Sequence, residues 1–309
     1  MKEVTVFAPA TVANVVCGFD VLGFALSEPN DKMTVRLIEE KTVRIVNCDD
    51  YNLPTEPTKN VAGAALLSLL SAIDENVGFE IEITKRIKPG SGIGSSAASA
   101  AGAVVGANYL LNEKFSKLEL VDFAMDGEKI AAGSRIADNV APAIFGGFTL
   151  VRSNNPLDII SLEFPPLFVT VIHPQIEIKT SDAREILKQK VELKDAVAQW
   201  GNVAALVAGL QKGDYDLISR SLEDKIIEPV RSILIPHFDR LKKESKRAGA
   251  LGGGISGSGP SVFMLSETLQ TARKVENTMR EIYEPTGIDF NIYVSEINDK
   301  GVKSTEARA

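Results

Sequence analysis

Residues 89–102 read Pro89-Gly90-Ser91-Gly92-Ile93-Gly94-Ser95-Ser96-Ala97-Ala98-Ser99-Ala100-Ala101-Gly102, and the fold turns on this stretch. Three glycines alternate with other residues directly ahead of a run of small residues that reads as a helix. Glycine adopts positive φ at no steric cost and lets the main chain approach a ligand closely. The first N–H groups of a helix lack intrahelical partners and carry the positive end of its dipole, so a bare loop running into a helix cradles an anion such as phosphate. Ser95 and Ser96 fall at the helix start, where a hydroxyl caps, binds phosphate or ligates a metal. A turn leading into a buried Ala-rich helix needs no ligand, but three alternating glycines and two serines exceed what a turn requires. No Gly-Lys is followed by Ser or Thr, which excludes a Walker A loop. The spacing G-x-G-x-G also misses the dinucleotide fingerprint, and the chain does not open on a βαβ unit.

With 309 residues, 44% hydrophobic and 24% charged, the chain is long enough for two domains sharing a cleft. A formal net charge of -7 argues against a nucleic-acid partner, which needs a concentrated basic surface. The cluster Lys242, Lys243, Lys246 and Arg247 is interrupted by Glu244 and reads as a solvated helix face. Cys17 and Cys48 make neither a disulfide framework nor a zinc site, so both are expected to be reduced. Two histidines, His173 and His237, are too few for a histidine-rich metal site and argue against a Ser-His-Asp hydrolase. No apolar targeting segment precedes the strand Val4-Thr5-Val6-Phe7, and no apolar run approaches the length of a membrane span. A cytoplasmic protein with no membrane partner is the expectation.

Period-two alternation predicts strands at Val4–Ala8, Met33–Ile38, Val43–Val46 and Phe79–Ile83, while helical spacing marks Asn60–Ile73, Ser95–Leu111 and Lys117–Ala131. Gly146–Val151 returns to strand. The polar run Ser153-Asn154-Asn155-Pro156 is the predicted boundary between a domain at 1–152 and another at 153–309. Beyond it lie strands at Leu167–Ile172, Ser261–Leu265 and Asn291–Val294, with helices at Lys194–Leu210, His237–Ala248 and Gln270–Tyr283. The mixture predicts an α+β fold in two layered domains, with Lys303–Ala309 frayed.

Pro89 to Ala98 resembles the central phosphate loop of the GHMP kinases, the family of galactokinase, homoserine kinase, mevalonate kinase and phosphomevalonate kinase. Two further motifs follow the family order: Ala8-Pro9-Ala10-Thr11-Val12-Ala13-Asn14 through Gly18-Phe19-Asp20-Val21-Leu22-Gly23 is similar to the first, and Gly252 through Ser261 to the third. The resemblance implies a ribosomal-S5-like N-terminal domain on a ferredoxin-like C-terminal domain with substrate between them. It further implies ATP as phosphoryl donor, held by Pro89, Gly90, Ser91, Gly92, Ile93, Gly94, Ser95, Ser96, Ala97 and Ala98, with Asn60 and Lys85 near the adenosine. Magnesium is expected on Ser96 and on Glu128 of Asp126-Gly127-Glu128, since this ion keeps several waters and needs few protein ligands.

Ile136 to Gly147, Thr180 to Arg184 and Pro229 to Pro236 resemble segments that distinguish the homoserine kinases. On that likeness L-homoserine is the small-molecule partner, with Arg184 and Arg231 for its carboxylate and Asn14 and Asp20 for its ammonium. Asn139, Thr180 and Gly257 complete the pocket. Asn139 orients the acceptor hydroxyl, and Asp138 is structural, electrostatic or the proton acceptor. Ile136 departs from the histidine common there, which bears on the substrate and not on the kinase reading. Another kinase of the family, acting on mevalonate, shikimate or a sugar, is the alternative among enzymes, and a non-catalytic nucleotide-binding regulator is the rival outside them. The resemblance also suggests a homodimer.

Overall fold

The computed structural model describes residues 3–47, 49, 51–176, 178, 180–188 and 190–305, with the side chains of 180–182 outside that description. The first half runs β1 (Glu3–Ala13), β2 (Leu22–Ile38), β3 (Val43–Asn47), α1 (Val61–Ser71), β4 (Gly78–Thr84), α2 (Ser95–Leu110), α3 (Lys117–Ala132), α4 (Val140–Phe145), β5 (Phe148–Asn154) and β6 (Leu157–Leu162). The second runs β7 (Phe168–Pro174), α5 (Thr180–Glu185), α6 (Leu193–Lys212), α7 (Tyr215–Ser221), α8 (Glu228–Arg231), α9 (Phe238–Arg247), β8 (Gly252–Ile255), β9 (Val262–Ser266), α10 (Leu269–Tyr283), β10 (Phe290–Glu296) and β11 (Lys303–Ser304).

Alternating side chains in β1, β2 and β4 turn Val4, Val6, Met33, Val35, Ile81 and Ile83 into one apolar face. That face belongs to a seven-stranded sheet ordered β11-β1-β2-β4-β3, with β5 joined to β2 and β6 to β5. Helix α2 lies on β1 and β2 and is buried nearly all round, which its alanines and glycines allow and larger residues would not. Serine at its start, glycine ahead of it and a Ser116 capping box on α3 explain where these helices begin. The second sheet is antiparallel with order β10-β7-β9-β8. Numbered by sequence within that domain this is 4-1-3-2, the ferredoxin-like arrangement the resemblance implies. Phe24 of β2 sits 4.8 Å from Phe148 and 5.6 Å from Phe263 between ring centroids, so the two sheets share one core. Truncating such a ring to alanine costs about 3–5 kcal/mol.

The predicted boundary is corrected. Residue 152 lies inside β5, and Asn155 and Pro156 form the turn of a hairpin that returns β6 to the first sheet. A polar proline-containing run serves a hairpin as well as a linker. Strand β11 also joins the first sheet, where Val6 faces Ser304 and Phe7 faces Lys303, so residues 303–305 are paired and not frayed, and 306–309 lie outside the described residues. Lys242 departs from a solvated face by donating to buried Glu228 at 2.6 and 2.8 Å. Cys17 is a free buried thiol pushed up to about 12 by burial, and Cys48 lies outside the described residues. Among the described residues no helix is long and apolar enough to cross a membrane.

Candidate active site

One cleft of about 780 Å³, lined by loops and helix ends from both halves of the chain, gathers most of the residues singled out in the sequence. Its floor is the loop from Pro89 to Ser96. Gly92 and Gly94 have φ of 80° and 68°, and neither tolerates a side chain. A Cβ at Gly92 would meet the Gly259 carbonyl oxygen at 2.5 Å, and one at Gly94 would meet Thr11 Oγ1 at 1.9 Å. The loop is clamped from the opposite domain: Ser261 Oγ donates to the Ser91 carbonyl at 2.6 Å, and Ser256 Oγ donates to the Gly92 carbonyl at 2.8 Å. With its carbonyls engaged behind, the loop presents N–H groups and the start of α2 to the cleft. Gly257, at φ 57°, approaches the same loop, where an added Cβ would lie 3.0 Å from the Gly92 oxygen.

Glu128 of α3 is 7% exposed, and its Oε1 has no hydrogen-bond partner. Burial pushes its carboxyl up to about 7 against the pull of the neighbouring Ser96 hydroxyl and the Lys85 charge. A buried carboxylate oxygen without a partner, beside a hydroxyl at a phosphate loop, is the hard-oxygen donor set that suits magnesium.

At the other end, Arg184 of α5 and Arg231 of α8 flank the Phe19 ring, their guanidinium carbons 5.6 and 5.1 Å from its centroid. Arg231 is buried, donating from Nε to the Ala183 carbonyl at 2.8 Å and from Nη1 to the Gly257 carbonyl at 3.2 Å. Burial and then the Arg184 charge hold its pKa below the usual arginine value, so a further anion would be welcome beside the pair. Arg184 Nη2 bonds both carboxylate oxygens of Asp20, at 2.8 and 3.0 Å. Asn14 orders this end, donating to the Gly257 carbonyl at 2.8 Å and accepting from Asp20 N at 3.1 Å. Asn14, Val15 and Val16 take positive φ in succession, backbone that non-glycine residues hold only under constraint.

Asp138 and Asn139 lie between the two ends. The Asp138 carboxyl is pushed up to about 7, by burial first and then by the charges of Asp20 and Glu128, with Arg184 opposing. Asn139 Nδ2 reaches Asp138 Oδ1 at 3.4 Å, and its Oδ1 accepts from Thr11 at 2.7 Å.

Some expected nucleotide contacts are spoken for. Lys85 is buried under the loop, ion-paired with Asp31 and bonded to the Ser95 carbonyl at 2.7 Å and Ser99 Oγ at 3.0 Å, so all three of its donors are used. It supports α2 from below. Asn60 caps α1, accepting from Gly63 N at 3.2 Å and donating to the Pro54 carbonyl at 2.7 Å. Ser95 Oγ donates to the Ile87 carbonyl at 2.7 Å, which closes the loop and leaves Ser96 as the hydroxyl by Glu128. Ile93, Ala97 and Ala98 are core residues and do not line the cleft. The side chain of Thr180 lies outside the described residues. Sequence reasoning missed Thr11, Phe19 and Asp31; the last stands in the polar run Ser27-Glu28-Pro29-Asn30-Asp31-Lys32, where one more acid carries no local signal.

The GHMP kinases N terminal domain family matches residues 60–147, and the GHMP kinases C terminal family matches residues 206–285. A homoserine kinase of Chloroherpeton thalassium is 46% identical over 315 residues, covering 97% of this chain and 99% of the relative. The crystal structure of homoserine kinase from Cytophaga hutchinsonii superposes with a TM-score of 0.94 at 49% identity, covering 98% of this chain and 97% of that one. An L. major mevalonate kinase in complex with R-mevalonate, at 16% identity and a TM-score of 0.69 over 94% of each chain, shares the fold. Two matched domains and full-length relatives this similar lead to one conclusion: the chain belongs to the GHMP kinase family.

Proposed function

We propose that this protein transfers the γ-phosphoryl group of ATP to the side-chain hydroxyl of L-homoserine, giving O-phospho-L-homoserine and ADP. The observation that carries the reading is a single cleft with a phosphate loop at one end, two arginines and a carboxylate at the other, and Asp138 and Asn139 between. Loop amides and the start of α2 bind the triphosphate. Ser96 and Glu128 would hold Mg²⁺, which supplies neutralisation of phosphate charge when bound.

Homoserine carries a carboxylate and an ammonium, and the Arg184–Asp20 pair is the complementary couple. The substrate carboxylate takes the guanidinium groups of Arg184 and Arg231, and its ammonium takes Asp20 and Asn14, exchanging one ion pair for two. A forked, charge-assisted contact of this kind is worth roughly 1.5–3 kcal/mol. Asn139 orients the hydroxyl oxygen, which attacks the γ-phosphorus as the bond to the β–γ bridging oxygen breaks. The hydroxyl proton passes to a phosphoryl oxygen. A loose transition state needs little activation of the nucleophile, so positioning and charge stabilisation supply most of the rate. One observation favours a second reading of the proton's path: the Asp138 carboxyl at about 7 lies in the range of a general base.

The proposal includes a cytoplasmic homodimer, supported by family resemblance and, for the dimer, by exposed Leu193, Val197 and Trp200 on one side of α6. Coupled ADP release with homoserine, mevalonate, shikimate and galactose tests the substrate. Turnover with homoserine alone is expected, and turnover with another acceptor in its place would refute it.

A further inference from the structure

We infer that Thr11 is a positioning residue whose hydroxyl fixes the Asn139 amide against the phosphate loop and so holds the acceptor end of the cleft in register with the donor end. The inference rests on the proposed role of Asn139. Thr11 is fully buried in β1. Its Oγ1 donates to Asn139 Oδ1 at 2.7 Å, and its backbone N–H donates to the Ile93 carbonyl at 3.1 Å. Gly94 is packed onto that hydroxyl, since a Cβ there would sit 1.9 Å from Thr11 Oγ1 and 3.1 Å from Asn139 Oδ1. One side chain therefore touches the phosphate loop and the acceptor amide at once.

The contact also selects which face of the amide meets substrate. With Oδ1 engaged by Thr11, the NH₂ group remains for the cleft, its other contact being the long one to Asp138 Oδ1 at 3.4 Å. A flipped amide would turn its carbonyl oxygen onto the Asp138 carboxylate and leave the Thr11 proton without an acceptor. An N–H donated to the homoserine hydroxyl oxygen leaves the hydroxyl proton pointing away from Asn139, towards the phosphoryl group.

The test is steady-state kinetics of Thr11→Val, Thr11→Ser, Asn139→Ala and the Thr11→Val/Asn139→Ala double variant. Valine keeps the shape and removes the donor. We expect kcat to fall roughly ten- to a hundred-fold in Thr11→Val with KM for homoserine near wild type, as for a small misplacement of a reacting group. Thr11→Ser should recover most of kcat, and the double variant should be no slower than Asn139→Ala, because both changes act through one amide. Equal losses in Thr11→Val and Thr11→Ser, or losses that multiply in the double variant, would overturn the inference while leaving the role of Asn139 intact. Wild-type kcat in Asn139→Ala would instead refute the underlying assignment. If Thr11→Val does not fold, full kcat in Thr11→Ser alongside a slow Thr11→Ala supports the inference, and equal rates in those two overturn it.

Discussion

Replacing Asp138 by asparagine should lower activity and, above neutral pH, raise stability. Asp138 is 7% exposed, and its carboxyl moves from 3.8 to about 7 through burial and the charges of Asp20 and Glu128. A carboxyl whose pKa is raised by folding binds its proton more tightly in the folded chain. Its favourable contribution is complete below the unfolded value and is lost as pH rises through the folded one, so the wild type loses stability between 3.8 and about 7. A shift of about three units corresponds to about 4 kcal/mol at most, or several degrees of melting temperature in a chain of this size. Asparagine has nearly the same shape and no charge to bury. The gain in melting temperature of Asp138→Asn over wild type should therefore be small near the unfolded value, grow with pH and level off above about 7. Scanning calorimetry of both proteins across that interval, in chelator and without nucleotide, reads this directly. A difference that does not change with pH, or a variant less stable at alkaline pH, would refute the burial argument. Kinetics of the same variant separates the two proton paths. Loss of a general base costs about 10² to 10⁴ in rate and removes the acidic limb of the pH profile. A smaller loss with the limb retained supports orientation by Asn139.

Ser96→Ala and Glu128→Gln should each reduce kcat with homoserine KM little changed, and the double variant should fall short of the product of the two losses, since both would act on one ion; magnesium titrations of kcat check this, and independent losses would detach Glu128 from the metal. Arg184→Leu or Arg231→Leu should raise KM for homoserine about ten- to a hundred-fold while KM for ATP holds, as expected from removing one charge-assisted contact; a rise in ATP KM instead would move the arginine to the phosphate side. His173 is 2% exposed, and its pKa is lowered from 6.5 to about 4 by burial and then by the Lys88 charge. Stability is complete above 6.5 and falls as pH drops towards 4, by up to about 3 kcal/mol, and His173→Gln should flatten that part of the denaturation profile.

The parts of the site that were legible in the sequence are those whose chemistry is local. Alternating glycines directly ahead of a small-residue helix mark a bare loop running into a helix start, and Arg184 and Arg231 are forked donors by residue type alone. What was not legible depends on partners far away in the chain. Lys85 read as a nucleotide ligand because nothing near it shows that Asp31, 54 positions earlier, would claim it. Thr11 looks like any β-branched strand residue until Asn139, 128 positions on, arrives at its hydroxyl. The glycines of β8 carry no strand pattern, yet a Cβ at Gly253 would strike the Phe263 carbonyl oxygen at 1.9 Å, so there they permit close backbone approach in a strand. Asn155-Pro156 misled for the opposite reason, since turn and linker share a composition and only the pairing of β6 tells them apart.

The pairing of β1 with β11 bears on how the chain is made. Thr305 donates from both its backbone N–H and its hydroxyl to the Thr5 carbonyl, at 2.9 and 3.1 Å, so Thr5 waits for a partner made 300 positions after it. Until residue 305 has cleared the ribosome, that side of β1 is an open strand edge on an otherwise assembled sheet, a template for pairing with a neighbouring nascent chain. Vectorial synthesis thus leaves the first sheet incomplete while the whole of the second is being translated. Ribosome stalling or premature termination just short of β11 should release a species with a nearly complete core and a high tendency to aggregate.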